Sequence, residues 1–107
     1  MRPIHVVTLD KARPAAILTR EAVRPFRTRV TVAPITSTTR GLSTEVRVDD
    51  TNGLDHQSVI SLDNIATVPV AHIGRLLGYL TPEQERDLAQ AIIAAFDLDV
   101  FDARGDG

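Results

Sequence analysis

Arg13-Pro14 stands between a polar turn, Asp10-Lys11-Ala12, and an apolar run, Ala15-Ala16-Ile17-Leu18-Thr19. Proline fixes its own φ and restricts the residue before it, so Arg13 is a cation of limited backbone freedom. Its guanidinium is a rigid fork of donors suited to phosphate. A second group, Thr36-Ser37-Thr38-Thr39-Arg40-Gly41, follows a long strand pattern. Four hydroxyls, an arginine and a glycine there offer partners to phosphate oxygens or bases. Each feature also has a plain reading, a solvated arginine and an ordinary hairpin loop, and residue types alone favour it.

Other chemistry is poorly supplied. The chain has no cysteine, which excludes a disulfide scaffold, a thiolate metal site, an iron–sulfur centre and cysteine catalysis. His5, His56 and His72 have no metal-ligand spacing, and no metal or cofactor site is expected. His56, beside Asp55 in a polar loop, is a weak acid–base candidate; His5 and His72 read as packing or surface residues. There is no Gly-rich phosphate loop ending in Lys-Ser/Thr, no His-Glu-x-x-His, no Gly-x-Ser-x-Gly and no calcium loop. Arg20, Arg24, Arg27 and Arg29 are interleaved with one aromatic, Phe26, which is thin for a base-stacking platform. Tyr79 reads as a packing residue.

The elements that must position these residues are mostly strands. Pro3–Leu9 opens the chain, and Ala15–Thr19 reads as a short buried strand, with Pro14 at its start or on an edge. Arg20–Arg27, containing Pro25, suits a turn or brief helical excursion. In Thr28–Ile35, Val30 and Val32 share one face and Thr31 and Ala33 the other. Thr44–Asp49 alternates, with Val46 and Val48 inward and Glu45, Arg47 and Asp49 outward. Asp50-Thr51-Asn52-Gly53 signals a turn. Ser58–Leu62 is another strand, broken by Asp63-Asn64, and Leu76–Leu80 a last one, where Gly74 and Gly78 permit bends or close approach.

One long helix is signalled, over about 82–97. Thr81, Pro82 and Gln84 form a Thr-x-x-Gln capping box with proline at the first helical position. Leu88, Ile92, Ala95 and Phe96 recur at helical spacing as a docking stripe. Short strands followed by one helix point to an α+β domain, mainly β, and not to a βαβ architecture.

The length of 107 residues suits a single domain over 1–107, with a polar tail at 102–107. No signal peptide or membrane-spanning run is visible, so the expected compartment is the cytoplasm. Arg104-Gly105-Asp106 in the tail reads as a chance match to an adhesion tripeptide. The net charge of −2 conceals an asymmetry: residues 1–47 carry nine basic and three acidic residues, and 48–107 carry three and eleven. A polyanionic partner is therefore not excluded, although a uniformly basic coat is.

Taken in order, several segments make the chain recognisable. They are Asp10–Leu18, Val30–Thr38, Gly41–Val46, Gly53-Leu54, Ser58–Ile65 and Ile73–Leu80. Together they resemble the MazF/PemK family of toxin endoribonucleases, especially its short mycobacterial-type members, over about residues 4–80. The resemblance implies a small SH3-like β-barrel with appended helices, working as a homodimer. It implies cleavage of single-stranded RNA at short sequences without a metal, leaving 2′,3′-cyclic phosphate and 5′-hydroxyl ends. The family's catalytic arginine and threonine fall on Arg13 and Thr36, and Lys11, Ser37, Thr38 and Arg40 become RNA-binding candidates. A partner antitoxin with an acidic tail in the RNA groove is implied as well. One departure is the short link before the Arg-Pro motif, where longer members carry an extended Gly-rich loop that covers RNA. A different class remains open: an inactive barrel serving as a protein- or nucleic-acid-binding module. An interaction protein assembled through the apolar Val68–Leu80 segment is a third.

Overall fold

One strand organises the molecule. In the computed structural model, which describes residues 1–99, β3 (Arg29–Thr36) is paired along both edges. On one edge lies β2 (Ala12–Ile17), with Ala16 opposite Ala33 and Ile17 opposite Val32. On the other lie β6 (Ala66–Pro69), with Val68 opposite Val30, and β5 (Ser58–Ser61), with Ile60 opposite Ile35. Beyond β2 come β1 (Pro3–Thr8) and then β7 (Ile73–Tyr79); beyond β5 comes β4 (Glu45–Val48). Every pairing is antiparallel, and the order is β4-β5-β3-β2-β1-β7, with β6 beside β3. The result is a curled antiparallel half-barrel carrying a C-terminal helix, α1 (Pro82–Ala95), the expected α+β class.

The alternation in β3 feeds two cores. Val30 and Val32 pack with Val7, Ala15, Ile17 and Val68 on one side. Ala33 and Ile35 pack with Ile4, Ala16, Val46, Ile60, Leu62 and the helix residues Leu88 and Ala91 on the other. Burying both faces makes β3 intolerant of polar substitution; each fully buried aliphatic side chain is worth about 1.5–3 kcal/mol.

Several boundaries differ from the sequence reading. β2 starts at Ala12, so Arg13 and Pro14 lie within a strand. Pro14 pairs with Val6, and the ladder to β3 begins only at Ala15. Its missing N–H therefore falls where β2 has one neighbour, the local equivalent of an edge. β6 was not anticipated: Pro69 ends a four-residue run too short to signal a strand. The excursion at Glu21–Phe26 is a 3-10 helix. Tyr79, expected to pack, is 41% exposed on β7.

The Asp50–Asn52 turn presses against β7 backbone to backbone. Gly53 ends it at φ +87°, and a Cβ there would overlap the Leu77 carbonyl. A Cβ on Gly78 would overlap the Asn52 carbonyl. Both glycines are required by that approach.

The capping box of α1 forms as read: Thr81 Oγ1 accepts from the Gln84 N–H at 3.1 Å, and Gln84 Oε1 from the Thr81 N–H at 2.9 Å. Leu88 and Ala91 are buried, and Ile92 and Ala95 are half-buried against the same core. Phe96 does not join the stripe. It is the C-cap residue and is 56% exposed, because the helix ends at Ala95 in a Schellman turn. There the Leu98 N–H reaches the Ile93 carbonyl and the Asp97 N–H the Ala94 carbonyl, with Asp97 at φ 54°. Arg2 ties the helix start to the sheet, bonding Glu85 at 3.0 Å and the carbonyls of Ile17 and Leu18. No helix among the described residues is long and apolar enough to cross a membrane. The tail at 102–107, with its Arg104-Gly105-Asp106 match, lies outside them.

Candidate active site

Antiparallel register brings two sequence-distant residues to one place. β2 leaves the β1 turn with Arg13 opposite Val7, while β3 ends at Thr36 opposite Val59. Both line a cleft of about 640 Å³, together with Thr38, Arg40 and Pro34.

The short turn before β2 closes through the Leu9 N–H on the Lys11 carbonyl at 3.0 Å. This turn sets Asp10 beside Arg13, whose Nη2 lies 3.0 Å from the Asp10 carboxylate. Arg13 is 28% exposed, and its Nε is buried with no partner among the described residues. The guanidinium is thus held from one side only. Thr36 Oγ1 accepts from the Thr38 N–H at 3.2 Å, turning the chain as it leaves the strand. The hydroxyl keeps its proton free to donate into the cleft.

The next segment is shaped by Glu45. Its carboxylate accepts from the backbone N–H groups of Arg40 at 3.2 Å, Gly41 at 3.0 Å and Leu42 at 3.2 Å. This holds Gly41 at φ 70° and Arg40 at the cleft wall. Asp63, also in the cleft, accepts from Thr44 Oγ1 at 2.7 Å.

The basic N-terminal half does not become a basic cleft. Arg13 and Arg40 face three carboxylates, those of Asp10, Glu45 and Asp63. Each carboxylate is engaged by local donors: Asp10 by Arg13, Glu45 by the loop amides and Asp63 by Thr44. Arg20, Arg24 and Arg27 line other depressions, and Arg29 is exposed at the start of β3.

Of the sequence candidates, Arg13, Thr36, Thr38 and Arg40 share the cleft, whereas Lys11 and Ser37 are exposed and do not line it. His56 is exposed outside it. His5 and His72 each bond a backbone carbonyl through Nδ1, that of Gly74 at 2.9 Å and that of Thr8 at 3.1 Å. Among the described residues no three His, Asp or Glu side chains are grouped to hold a metal ion. Asp10, Glu45 and Asp63 were not singled out by sequence. The Asp10–Arg13 spacing was available as a signal; Glu45 gave only outward alternation, which implied solvent.

Comparison with known proteins gives the class, a toxin nuclease. The family profile described as "PemK-like, MazF-like toxin of type II toxin-antitoxin system" matches residues 7–96, and the chain belongs to that family. It is 64% identical over 99 residues to endoribonuclease MazF3 of Mycobacterium tuberculosis (strain ATCC 25618 / H37Rv), covering 92% of this chain and 96% of that one. Probable endoribonuclease MazF5 of the same strain is 35% identical over 86 residues, 79% of each chain. The solved Mycobacterium tuberculosis toxin MazF-mt6 matches with a TM-score of 0.91 at 63% identity, over 92% of this chain and 100% of that chain. This chain is an endoribonuclease of the toxin class.

Proposed function

We propose that the protein cleaves single-stranded RNA at short sequences in the cleft between Arg13 and Thr36, without a metal ion, so that translation and growth stop. The observation that carries this reading is the convergence of those two residues on one cleft. The ribose 2′-oxygen attacks the adjacent phosphorus, its proton passing to an acceptor in the site. The bond from phosphorus to the 5′-oxygen breaks, and that oxygen takes up a proton. The products are a 2′,3′-cyclic phosphate and a 5′-hydroxyl. Arg13 stabilises charge on the phosphoryl oxygens; such preorganised donors contribute about 3–4 kcal/mol each to lowering a barrier. Thr36 hydrogen-bonds and positions the phosphate, since a hydroxyl of high pKa is a poor unaided proton shuttle. DNA lacks the nucleophile and is not cut.

Thr38 and Arg40 hold the RNA in the cleft, and Lys11 and Ser37, exposed beside lining residues, meet it at the mouth. The family description supports an antitoxin partner. We assign it an acidic segment that occupies the cleft in place of RNA. The working unit is a homodimer in the cytoplasm.

The test is incubation of the protein with a mixed pool of single-stranded RNAs in EDTA, followed by mapping of product ends. Cyclic-phosphate ends, lost in Arg13→Ala and Thr36→Ala, are expected. Unchanged cleavage in those variants overturns the mechanism. Cleavage abolished by EDTA overturns metal independence, and no cleavage by the wild type favours the binding-module reading.

A further inference from the structure

A second hollow, of about 550 Å³, lies across the 39–42 loop from the cleft. The two share Leu42 and Glu45 as a common wall. Strand register explains why they adjoin. Glu45 is opposite Ser61, and both line the first; Arg47 is opposite Val59, and both line the second. Alternate residues of a strand share a face at a spacing of about 6.8 Å. One face of the β4–β5 hairpin therefore runs beneath both hollows, and the loop pinned by Glu45 lies over it as a partition.

The second hollow has the chemistry to read a base. Its acidic groups are turned to neighbours: Glu45 holds the loop amides, and Asp49 accepts from the Thr51 N–H at 3.0 Å and the Thr51 hydroxyl at 2.6 Å. Arg47 is exposed and forms no ion pair among the described residues. Gln57, exposed on the approach to β5, lines the same hollow. Arginine and glutamine carry paired groups that match base edges, and they are the side chains whose bidentate bonds discriminate one base from another. Leu42, 46% exposed on the shared wall, presents an apolar surface to the face of a ring.

We infer that this hollow is a nucleobase subsite: it takes the base of an RNA nucleotide flanking the cleaved one, with Arg47 and Gln57 as specificity-determining residues. The inference rests on the first cleft being the cleavage site. It makes the loop a divider, with the scissile phosphate on one side and a recognised base on the other. Neither residue touches the reacting atoms, so their loss changes which sequences are cut more than how fast the best one is cut.

The experiment is cleavage of a randomised single-stranded RNA library by wild type, Arg47→Ala, Gln57→Ala and, as a surface control, Arg86→Ala. Product ends are sequenced, and thermal midpoints confirm folding. The wild type is expected to favour one base at a flanking position by roughly tenfold, the discrimination a bidentate contact provides. Arg47→Ala or Gln57→Ala should flatten that position alone, with kcat on the preferred sequence within about twofold of wild type. An unchanged sequence profile overturns the inference, as does a uniform loss across all sequences. If the wild type cuts no RNA, the cleavage assignment fails. The subsite is then decided by binding: RNA oligomers differing at one base should lose their difference in Kd with Arg47→Ala, and a retained difference overturns it.

Discussion

Asn52 and Gln84, 32 positions apart, exchange two hydrogen bonds between their side-chain amides. Asn52 Nδ2 donates to Gln84 Oε1 at 2.7 Å, and Gln84 Nε2 donates to Asn52 Oδ1 at 3.0 Å. Asn52 is fully buried and also bonds the Tyr79 carbonyl and the Asp49 N–H. The residue that caps the helix is thus also the lock on the β4–β5 turn.

Asn52→Ala should therefore cost more than an ordinary turn substitution. It strands the Asp49 N–H and the Tyr79 carbonyl, and leaves the Gln84 amide only its bonds to the Thr81 N–H and the Arg47 carbonyl; unsatisfied buried groups cost about 1–3 kcal/mol each. A stability loss of about 2–4 kcal/mol is expected in urea, with cleavage per folded molecule unchanged. A midpoint equal to wild type would contradict the lock.

Arg13→Lys should behave as a loss and not as a conservative change. Lysine keeps the charge but not the fork that lets one edge face Asp10 and another a phosphate. A fall in kcat of about 10²-fold or more is expected. A lysine variant retaining near-wild-type kcat would show that charge alone suffices.

Glu45→Gln should loosen the loop while sparing the fold. The amide brings donors where three backbone donors already converge. Hydrogen bonds to a charged acceptor are worth about 1.5–3 kcal/mol, so the Arg40, Gly41 and Leu42 amides should exchange with solvent about tenfold faster or more. KM for RNA should rise more than kcat falls. Unchanged exchange at those three amides would dismiss the role.

Asp49 gives a pH signature. The Thr51 hydroxyl, and then its backbone N–H, hold the Asp49 carboxyl below its usual 3.8. A carboxyl that ionises more readily when folded stabilises the fold fully above its unfolded pKa, and that contribution is lost as pH falls through the folded value. Asp49→Asn should therefore lose stability less steeply than wild type below about pH 4. Parallel acid limbs, measured by denaturation at pH 6 and pH 3, would refute it.

How much of this was legible depended on range. The Thr81–Gln84 cap and the alternation in β3 and β4 are written within a few residues, so the sequence displays them. Phe96 continues the spacing of the stripe, but the Schellman turn at Asp97 ends the helix first. β6 is held by its neighbour β3, not by its own pattern. In the site, Arg13 stood out through Pro14 and Thr36 through its strand. Glu45 looked outward to solvent; only the folded chain shows that a loop has come back to meet it. Lys11 and Ser37 adjoin lining residues in sequence and are exposed, without lining the cleft themselves.

At the end of β3 the chain crosses from constrained to replaceable. Ile35 is buried and Thr36 partly so, whereas every residue from Ser37 to Ser43 is exposed. One peptide bond separates the packed end of the strand from a run of exposed positions, among which Gly41, at φ 70°, still carries a backbone constraint. Descendants of this chain can vary the loop that divides the two hollows while inheriting Arg13, Thr36 and their scaffold intact.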